Sequence, residues 1–461
     1  MAQQQTTPLS LGTDNLGKLL ARYAVPAIVA TVTSALYNIT DSIFIGQGVG
    51  PLAMTALGIC MPIMSITAAF GAMIGVGGSA LASIRLGQGN KAAAFRILGN
   101  IVLLNLIFGI GTMVACLLFL DDLLFLFGAS DVTIGDAHEY MKILLWGNVV
   151  THLYLGLNAI LRSTGYPTKS MIVMLISVAV NCVLDPLFIF VFKWGIAGSA
   201  YATVIAQTTA LIYELVHFAN PKNFLHFRRS IFRLSKDITL KIISIGMAPF
   251  LVQSCASLVS MINNNALKEY GGDLHIGAFS IVNRIALLFI MFVNGLNQGM
   301  QPIVGYNYGA RLYSRVLKIL KMGIGYGVAI TTLGFLCAEL IPHVIAGFFA
   351  DGSTPMGREL IDLASHAMRL VMMAMPIVGF QIVAANFFQS IGKPQRAIAL
   401  SITRQVLFLV PLLLVMPRIF GVEGIWYCMP IADVASAVLA GVLLLLQVRK
   451  LRQNPDSERT I

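Results

Sequence analysis

The chain is a succession of apolar stretches, each long enough to cross a lipid bilayer, joined by short polar connections. A helix of roughly 20 apolar residues spans the hydrocarbon core. Hydropathy gives about twelve such spans: 20–46, 52–80, 97–120, 140–161, 168–192, 196–218, 239–267, 274–304, 318–345, 364–390, 396–417 and 422–447. Inside lipid every backbone N–H and C=O must find a partner, and a single segment achieves this only as a helix. Of the 461 residues 57% are hydrophobic and 11% charged, more apolar surface than a water-soluble core absorbs. The expected fold class is therefore an all-α polytopic membrane protein.

Charge then orients the spans. The net charge is +11, and 23 of the 31 Lys and Arg fall on alternate connections, with the densest run over Lys222–Lys241. Five (Lys142, Lys193, Lys268, Arg358, Arg418) fall on the other side, and Arg284, Arg369 and Arg404 fall within spans. Basic connections stay on the cytoplasmic side of a membrane, so both termini are expected there. The basic excess is topological and calls for no nucleic acid, although Lys222–Lys241 is placed to touch anionic lipid. The polar N-terminus lacks the short apolar core and cleavage site of a removable signal, leaving the first span to direct insertion. The six cysteines lie inside spans with no CxxC or Cys/His grouping, and they read as small packing residues.

The chain also repeats itself. Residues 84–98 (IRLGQGNKAAAFRIL) correspond to 306–320 (YNYGARLYSRVLKIL), an offset of 222, and the same offset pairs Leu52, Ala56 and Ile59 with Leu274, Ala278 and Ile281. Farther on Asn158 pairs with Asn386, Ser163–Pro167 with Ser390–Pro394, Pro186 with Pro411, and Gly195–Gly198 with Gly421–Gly424. Six spans have been duplicated. Because six is even, both copies insert the same way round, and a pseudo-twofold axis along the membrane normal relates them. The division expected is a six-helix lobe over 1–218, a basic cytoplasmic linker over 219–238, a second lobe over 239–447 and a tail over 448–461. Two lobes so related enclose a cleft and can rock about it.

Within the first span, Tyr23–Gly46, stands Asp41, with Tyr37, Asn38 and Thr40 close by and Pro26 near the start. A carboxylate in a span costs at least ~2.5–3.5 kcal/mol, so it is normally paired, protonated or in contact with water. Asp41 is thus either an ion site or, being close to the Gly46–Pro51 loop, an interfacial residue. In the fifth span Asn181 and Asp185 share a helix face, and Pro186 frees the carbonyl of Cys182. Under the repeat Asp185 corresponds to Val410, Asn181 to Val406, and Asp41 lies near Asn264. Carboxylates serving only to build a lobe would occur in both, so the asymmetry favours function. Asp433 can pair with Arg284 or Arg404; Glu214 and Glu339 read as interfacial. Asn158, Gln253, Asn264, Met373 and Asn386 are the candidates for lining a substrate cleft. No GxSxG, HExxH, Walker or dinucleotide motif occurs, so no enzyme is indicated, and an ion gradient is the expected energy source.

The twelve spans, YNITDSIFIG at the end of the first, RLGQGN after the second, LRSTGYP after the fourth and NCVLDPLFIF in the fifth together resemble the multidrug and toxic compound extrusion (MATE) transporters over essentially the whole chain. The resemblance is greatest to the bacterial and archaeal branch named for DNA-damage-inducible proteins. It implies a cation-coupled antiporter in a prokaryotic cytoplasmic membrane, expelling amphipathic, often cationic compounds by alternating access. Carried over residue by residue, it implies a coupling cluster of Tyr37, Asp41, Asn181, Asp185 and Thr203, with Pro26 and Pro186 as helix hinges. The coupling ion is H⁺ or Na⁺, the latter held at Asp41 and Asp185, with no other cofactor. A monomer in contact with lipid and small substrates is the expected working unit. The competing reading is a flippase of lipid-linked or polyisoprenoid intermediates, which would want a strongly cationic cavity.

Overall fold

The helices follow the apolar stretches and overrun them at both ends. The computed structural model describes residues 10–349, 353–453 and 456; Arg459 of the basic tail lies outside these. Among the described residues nine helices are long and apolar enough to cross a membrane. They are α1 (Leu16–Gly48), α2 (Leu52–Gly87), α3 (Lys91–Leu118), α5 (Pro167–Val191), α6 (Gly195–Ala219), α7 (Lys236–Gly271), α8 (Leu274–Gly309), α9 (Tyr313–Leu340) and the long segment Pro394–Arg452. Two further spans are bent pairs: α4 (Ile134–Trp146 with Asn148–Ser163, 51° apart) and α10 (Pro355–Val371 with Met375–Ser390, 53° apart). The 59-residue segment would be about 88 Å long as one straight helix, far more than a bilayer holds. Gly421 breaks it at φ 59°, ψ −142° into α11 (394–420) and α12 (421–452), completing twelve.

The bends in α4 and α10 were not expected from hydropathy, which sees composition and not axis direction. In α10 the cause is local. Pro376 disfavours helical geometry in the residue before it and cannot donate to the preceding turn, so the chain turns over Met372–Ala374. In α4 the turn falls at Gly147, whose missing side chain makes room for Val204 of α6.

The duplication is visible in the backbone. Positive φ recurs at matched positions: Gly50 and Gly272, Gly89 and Arg311, Gly165 and Gly392, Gly195 and Gly421. Arg311 adopts the left-handed region although it has a Cβ, at a cost of about 1 kcal/mol. Both α5 and α11 carry a wider, π-type turn beside their matched prolines, at Leu187–Val191 and Thr403–Leu409.

The apolar core is divided unequally along the membrane normal. Toward the basic connections one core draws on both halves, with Leu19, Tyr23, Ile74, Ile101 and Leu161 from the first and Ile242, Met300, Ile319, Phe387 and Leu444 from the second. Toward the opposite end each half has its own core: Ile45, Ala56, Leu124, Tyr140 and Ile189 in one, Val259, Val282, Met368, Leu413 and Trp426 in the other. The glycines in close contact across the halves lie at the shared end. A Cβ on Gly77 would fall 2.0 Å from the Ile242 carbonyl oxygen, on Gly246 1.9 Å from that of Met73, and on Gly87 1.9 Å from that of Tyr306. The two six-helix halves therefore meet at the basic end and separate toward the other.

The connection between α6 and α7 is packed down. Asn100 of α3 accepts from the Ser235 backbone N–H at 3.0 Å and donates to the Arg233 carbonyl at 3.1 Å, while Lys91 sits over the Phe224 ring.

Candidate functional site

α1, α5 and α6 bring the expected cluster together inside the first half. Asp41 is 8% exposed, Asn181 2% and Asp185 0%. The carboxyls of Asp41 and Asp185 are close neighbours. Two carboxyls this near can bond to one another when one carries a proton, because an ionised carboxylate has acceptors alone. The Asn181 carboxamide donates to Asp185, and its nitrogen lies 2.7 Å from the Tyr37 hydroxyl; its oxygen accepts from the Thr203 hydroxyl at 3.1 Å. Ser199 donates from Oγ to Asp41 at 2.7 Å. Tyr140 of α4 closes the back of the site, fully buried beside Asp41 and Ser199. Asp41 is thus buried inside the first half.

Local backbone chemistry makes this convergence possible. Pro186 has no N–H to give Cys182, and the wider turn Leu187–Val191 follows it at once. Gly48 and Gly198 let that turn lie close: a Cβ on Gly48 would fall 2.3 Å from Ile189, and one on Gly198 3.0 Å from Phe188. This seats α6 near enough for Ser199 to reach Asp41.

Ser199 and Tyr140 escaped the sequence reading, although the repeat held a signal for both. The offset of 226 that matches Gly195 with Gly421 sets Ser199 on Ile425 and Thr203 on Met429, and the offset of 228 sets Tyr140 on Met368. Tyr37 falls on Val259 at 222. Val259, Met368 and Ile425 belong to the apolar core of the second half, with Val410 and Met429 packed against it. The space that holds oxygen ligands in one half is lined largely with hydrocarbon in the other, where the buried Asn263 stands at the position of Asp41.

Where the halves begin to part lies a cavity of about 500 Å³, lined by α1, α2, α4, α5, α7, α8, α10 and α11. Of the cleft candidates, Asn158, Gln253 and Asn386 line it. Asn264 is exposed on the outer part of α7 and Met373 on the bend of α10, and neither lines this cavity. The lining is rich in carboxamides not anticipated from sequence, among them Asn294, Gln298, Gln301 and Gln405, with Arg162 and Arg404 the charged side chains. Arg404 Nε donates to Asp433 at 2.6 Å, so Asp433 takes this partner and not Arg284. Arg162 donates to Asn158 at 2.9 Å and to Ser170 at 3.2 Å. Glu214, read from sequence as interfacial, is 0% exposed. Its distance from the end of α6 misled, because the connection 220–235 covers that end.

α1 runs unbroken through Pro26, and α8 grips it on both sides of that residue. A Cβ on Gly295 would fall 2.5 Å from Ile28 Cα, and one on Gly299 2.5 Å from Ala24 Cα. Thr31 Oγ1 reaches the Met291 carbonyl at 3.2 Å. The inner part of α1 is therefore fixed to the second half, and its outer part carries Tyr37 and Asp41 into the first.

A family model described as MatE matches residues 26–187 and 249–415. A curated protein similar to the chain is the multidrug export protein MepA of Staphylococcus saprophyticus, 25% identical over 434 residues that cover 93% of each chain. Among solved structures, the outward-facing conformation of a multidrug resistance MATE family transporter superposes with a TM-score of 0.91 at 23% identity, covering 98% of this chain and 100% of that one. A MATE protein in a bent conformation superposes with a TM-score of 0.90 at 23% identity, covering 98% and 99%.

Proposed function

The chain belongs to the MatE family, and from that premise we propose that it is a proton-coupled antiporter that exports amphipathic compounds across a prokaryotic cytoplasmic membrane by alternating access. The observation that carries this reading is the buried pair Asp41 and Asp185, present in one half only, in a chain whose two halves also enclose a cavity. A carboxyl pair that shares one proton is a proton-binding group. The same oxygens with Asn181, Thr203 and Tyr37 form a donor set suited to a hard cation, so Na⁺ is the second ion to test.

In this conformation the halves are joined at the basic end, which the charge distribution assigns to the cytoplasm together with both termini. A proton entering from the open side reaches Asp41 and Asp185 first. Loading the pair changes what the outer part of α1 bonds to, while Gly295 and Gly299 hold its inner part on α8, so the strain falls near Pro26. Coupling follows if the proton and the substrate favour different conformations. The cavity's carboxamides offer neutral donors and acceptors, which suits chemically varied amphipathic guests, including cationic ones. One chain contains both halves and the cavity, consistent with a working monomer whose partners are lipid and small substrates. Nucleic acid has no part in this scheme, and neither does a bond-making step.

The flippase reading has less support. Pyrophosphate needs uncompensated positive charge, but Arg404 is paired with Asp433 and Arg162 stands beside Glu214. The test is dye export from proteoliposomes under separately imposed proton and Na⁺ gradients. Export driven by the proton gradient alone is expected. Export driven only by Na⁺ reassigns the ion, and none under either gradient refutes the antiporter.

A further inference from the structure

We infer that Glu214 is a second proton site of the first half, on the basic side of the cavity, facing Tyr154 and joined to the cavity wall through Arg162 and Asn158. The inference rests on the proton-coupled reading above and extends it to a residue that reading does not use.

Glu214 is 0% exposed on α6 and stands beside Asn158 and Arg162 of α4. Its carboxyl oxygens have the Asn158 carboxamide and the Arg162 guanidinium as neighbours, and neither oxygen meets strict hydrogen-bond geometry among the described residues. Burying a carboxylate without such bonds costs several kcal/mol, so a group kept in this position is expected to bind a cation. The neighbouring guanidinium of Arg162 opposes a metal ion and leaves the proton. The other ionisable groups near it are Tyr154 on α4, Lys169 on α5 and His217 one turn further along α6.

Other polar groups lie between the two sites: Tyr154 neighbours both Glu214 and Ser177, and Ser177 lies one turn before Asn181 on α5. Toward the basic end His217 Nδ1 lies 3.2 Å from Lys169 Nζ, and His217 Nε2 is buried with no hydrogen-bond partner among the described residues. The second half lacks this carboxyl as well. The offset that matches Gly195 with Gly421 sets Glu214 on Ala440, a residue of the shared apolar core.

The position gives the site a means of sensing substrate. Arg162 and Asn158 line the cavity, and the guanidinium bonds to the carboxamide at 2.9 Å. With Glu214 ionised, the charge of Arg162 is compensated from behind and a cationic guest is tolerated. With a proton on Glu214, that compensation is lost and the wall opposes the same guest. Proton and cationic substrate thus compete through one guanidinium without touching.

The test uses the full chain in proteoliposomes, with ethidium as the cationic probe. Glu214→Gln imitates the protonated state permanently. It should weaken ethidium binding by about tenfold or more, remove the pH dependence of that binding, and slow proton-driven export by at least a comparable factor. Glu214→Asp keeps a carboxyl and should retain pH-dependent binding while export slows several-fold. If Glu214→Gln does not fold, Glu214→Asp alone decides, and wild-type export by it overturns the inference. Wild-type binding and export by Glu214→Gln would also overturn it, leaving the Asp41–Asp185 reading intact. Wild-type protein driven by Na⁺ and indifferent to protons would overturn it too, since there would be no proton to hold. Absence of export by the wild type under both gradients would instead remove the antiporter reading beneath it.

Discussion

Replacing Asp185 by asparagine should leave a folded, substrate-binding protein that cannot accumulate anything against a gradient. The site is 0% exposed, so shape matters, and asparagine is nearly isosteric with aspartic acid. The new carboxamide can still donate to Asp41, replacing the bond that the shared proton made, and still accept from Asn181. The stability change should therefore be within about 1 kcal/mol, the net worth of one such bond. Transport is a different matter. One pH unit is worth about 1.4 kcal/mol per proton, a factor of about ten in concentration ratio. If Asp41 and Asp185 share one proton, as proposed, and Glu214 responds only to cationic guests, exchange of a neutral probe should move one proton per cycle. With the membrane potential clamped at zero and a gradient of one pH unit imposed, wild-type proteoliposomes should build a steady ratio of a neutral probe near ten. Asp185→Asn and Asp41→Asn should each give a ratio near one, with unchanged probe affinity. A ratio that stays near ten in either variant refutes the assignment of the pair. A wild-type ratio near one hundred refutes the single shared proton.

Ser199→Ala removes the 2.7 Å bond to Asp41 and should slow proton-driven export by about tenfold, the value of a hydrogen bond to a carboxylate, with Ser199→Cys intermediate; equal rates in all three proteins would make Ser199 a bystander. Gly246→Val places a methyl-bearing carbon against the Met73 carbonyl and should lower the melting temperature in detergent by several degrees, corresponding to about 1–3 kcal/mol, whereas Gly111→Val, which meets nothing within 4 Å, should not; matched melting curves would contradict the close-packed end. Asp433→Asn leaves Arg404 uncompensated at the cavity wall and should reduce export of a cationic dye several-fold while sparing a neutral one, as competition assays with the two dyes would reveal.

What could be read in the sequence was whatever leaves a chemical or periodic trace. The twelve spans are legible because lipid demands long apolar helices, and the repeat because loops such as RLGQGN and YNYGAR keep the same turn geometry at Gly89 and Arg311. Asp41 and Asp185 stood out because charge in a span is conspicuous, Asn181 because it shares a helix face with Asp185, and Tyr37 and Thr203 joined them through the family resemblance; the structure brings all five together. Ser199 did not stand out, since a lone serine after GIAG looks like helix packing until the apolar Ile425 in the other half is set beside it. The cavity lining was legible only in part. Carboxamides on five helices, α4, α7, α8, α10 and α11, converge through helix tilt and bend, which hydropathy does not record. Glu214 shows the converse error, because position along a helix says how far a residue is from the end and nothing about what covers that end.

The asymmetry between the halves bears on why the coupling residues sit on α1. In the second half the equivalent space is occupied largely by Val259, Met368 and Ile425, with the buried Asn263 at the Asp41 position, a packed core whose loss of volume or shape carries a large penalty. On the proposed mechanism such a half would move as a rigid body. In the first half the same space is held by hydrogen bonds whose pattern depends on where a proton resides, and hydrogen bonds can be exchanged at little net cost. That half has a way to change shape. α1 is the helix that belongs to both: Gly295 and Gly299 fix Ala24 and Ile28 to the rigid half, while Asp41 bonds to Ser199 and neighbours Asp185 in the adaptable one. A carboxylate on α5 or α6 alone would register the proton without conveying it across the interface. Placed on α1, beyond Pro26, it would, on the proposed mechanism, convert a change in hydrogen bonding within one half into a torque on the contact between the two.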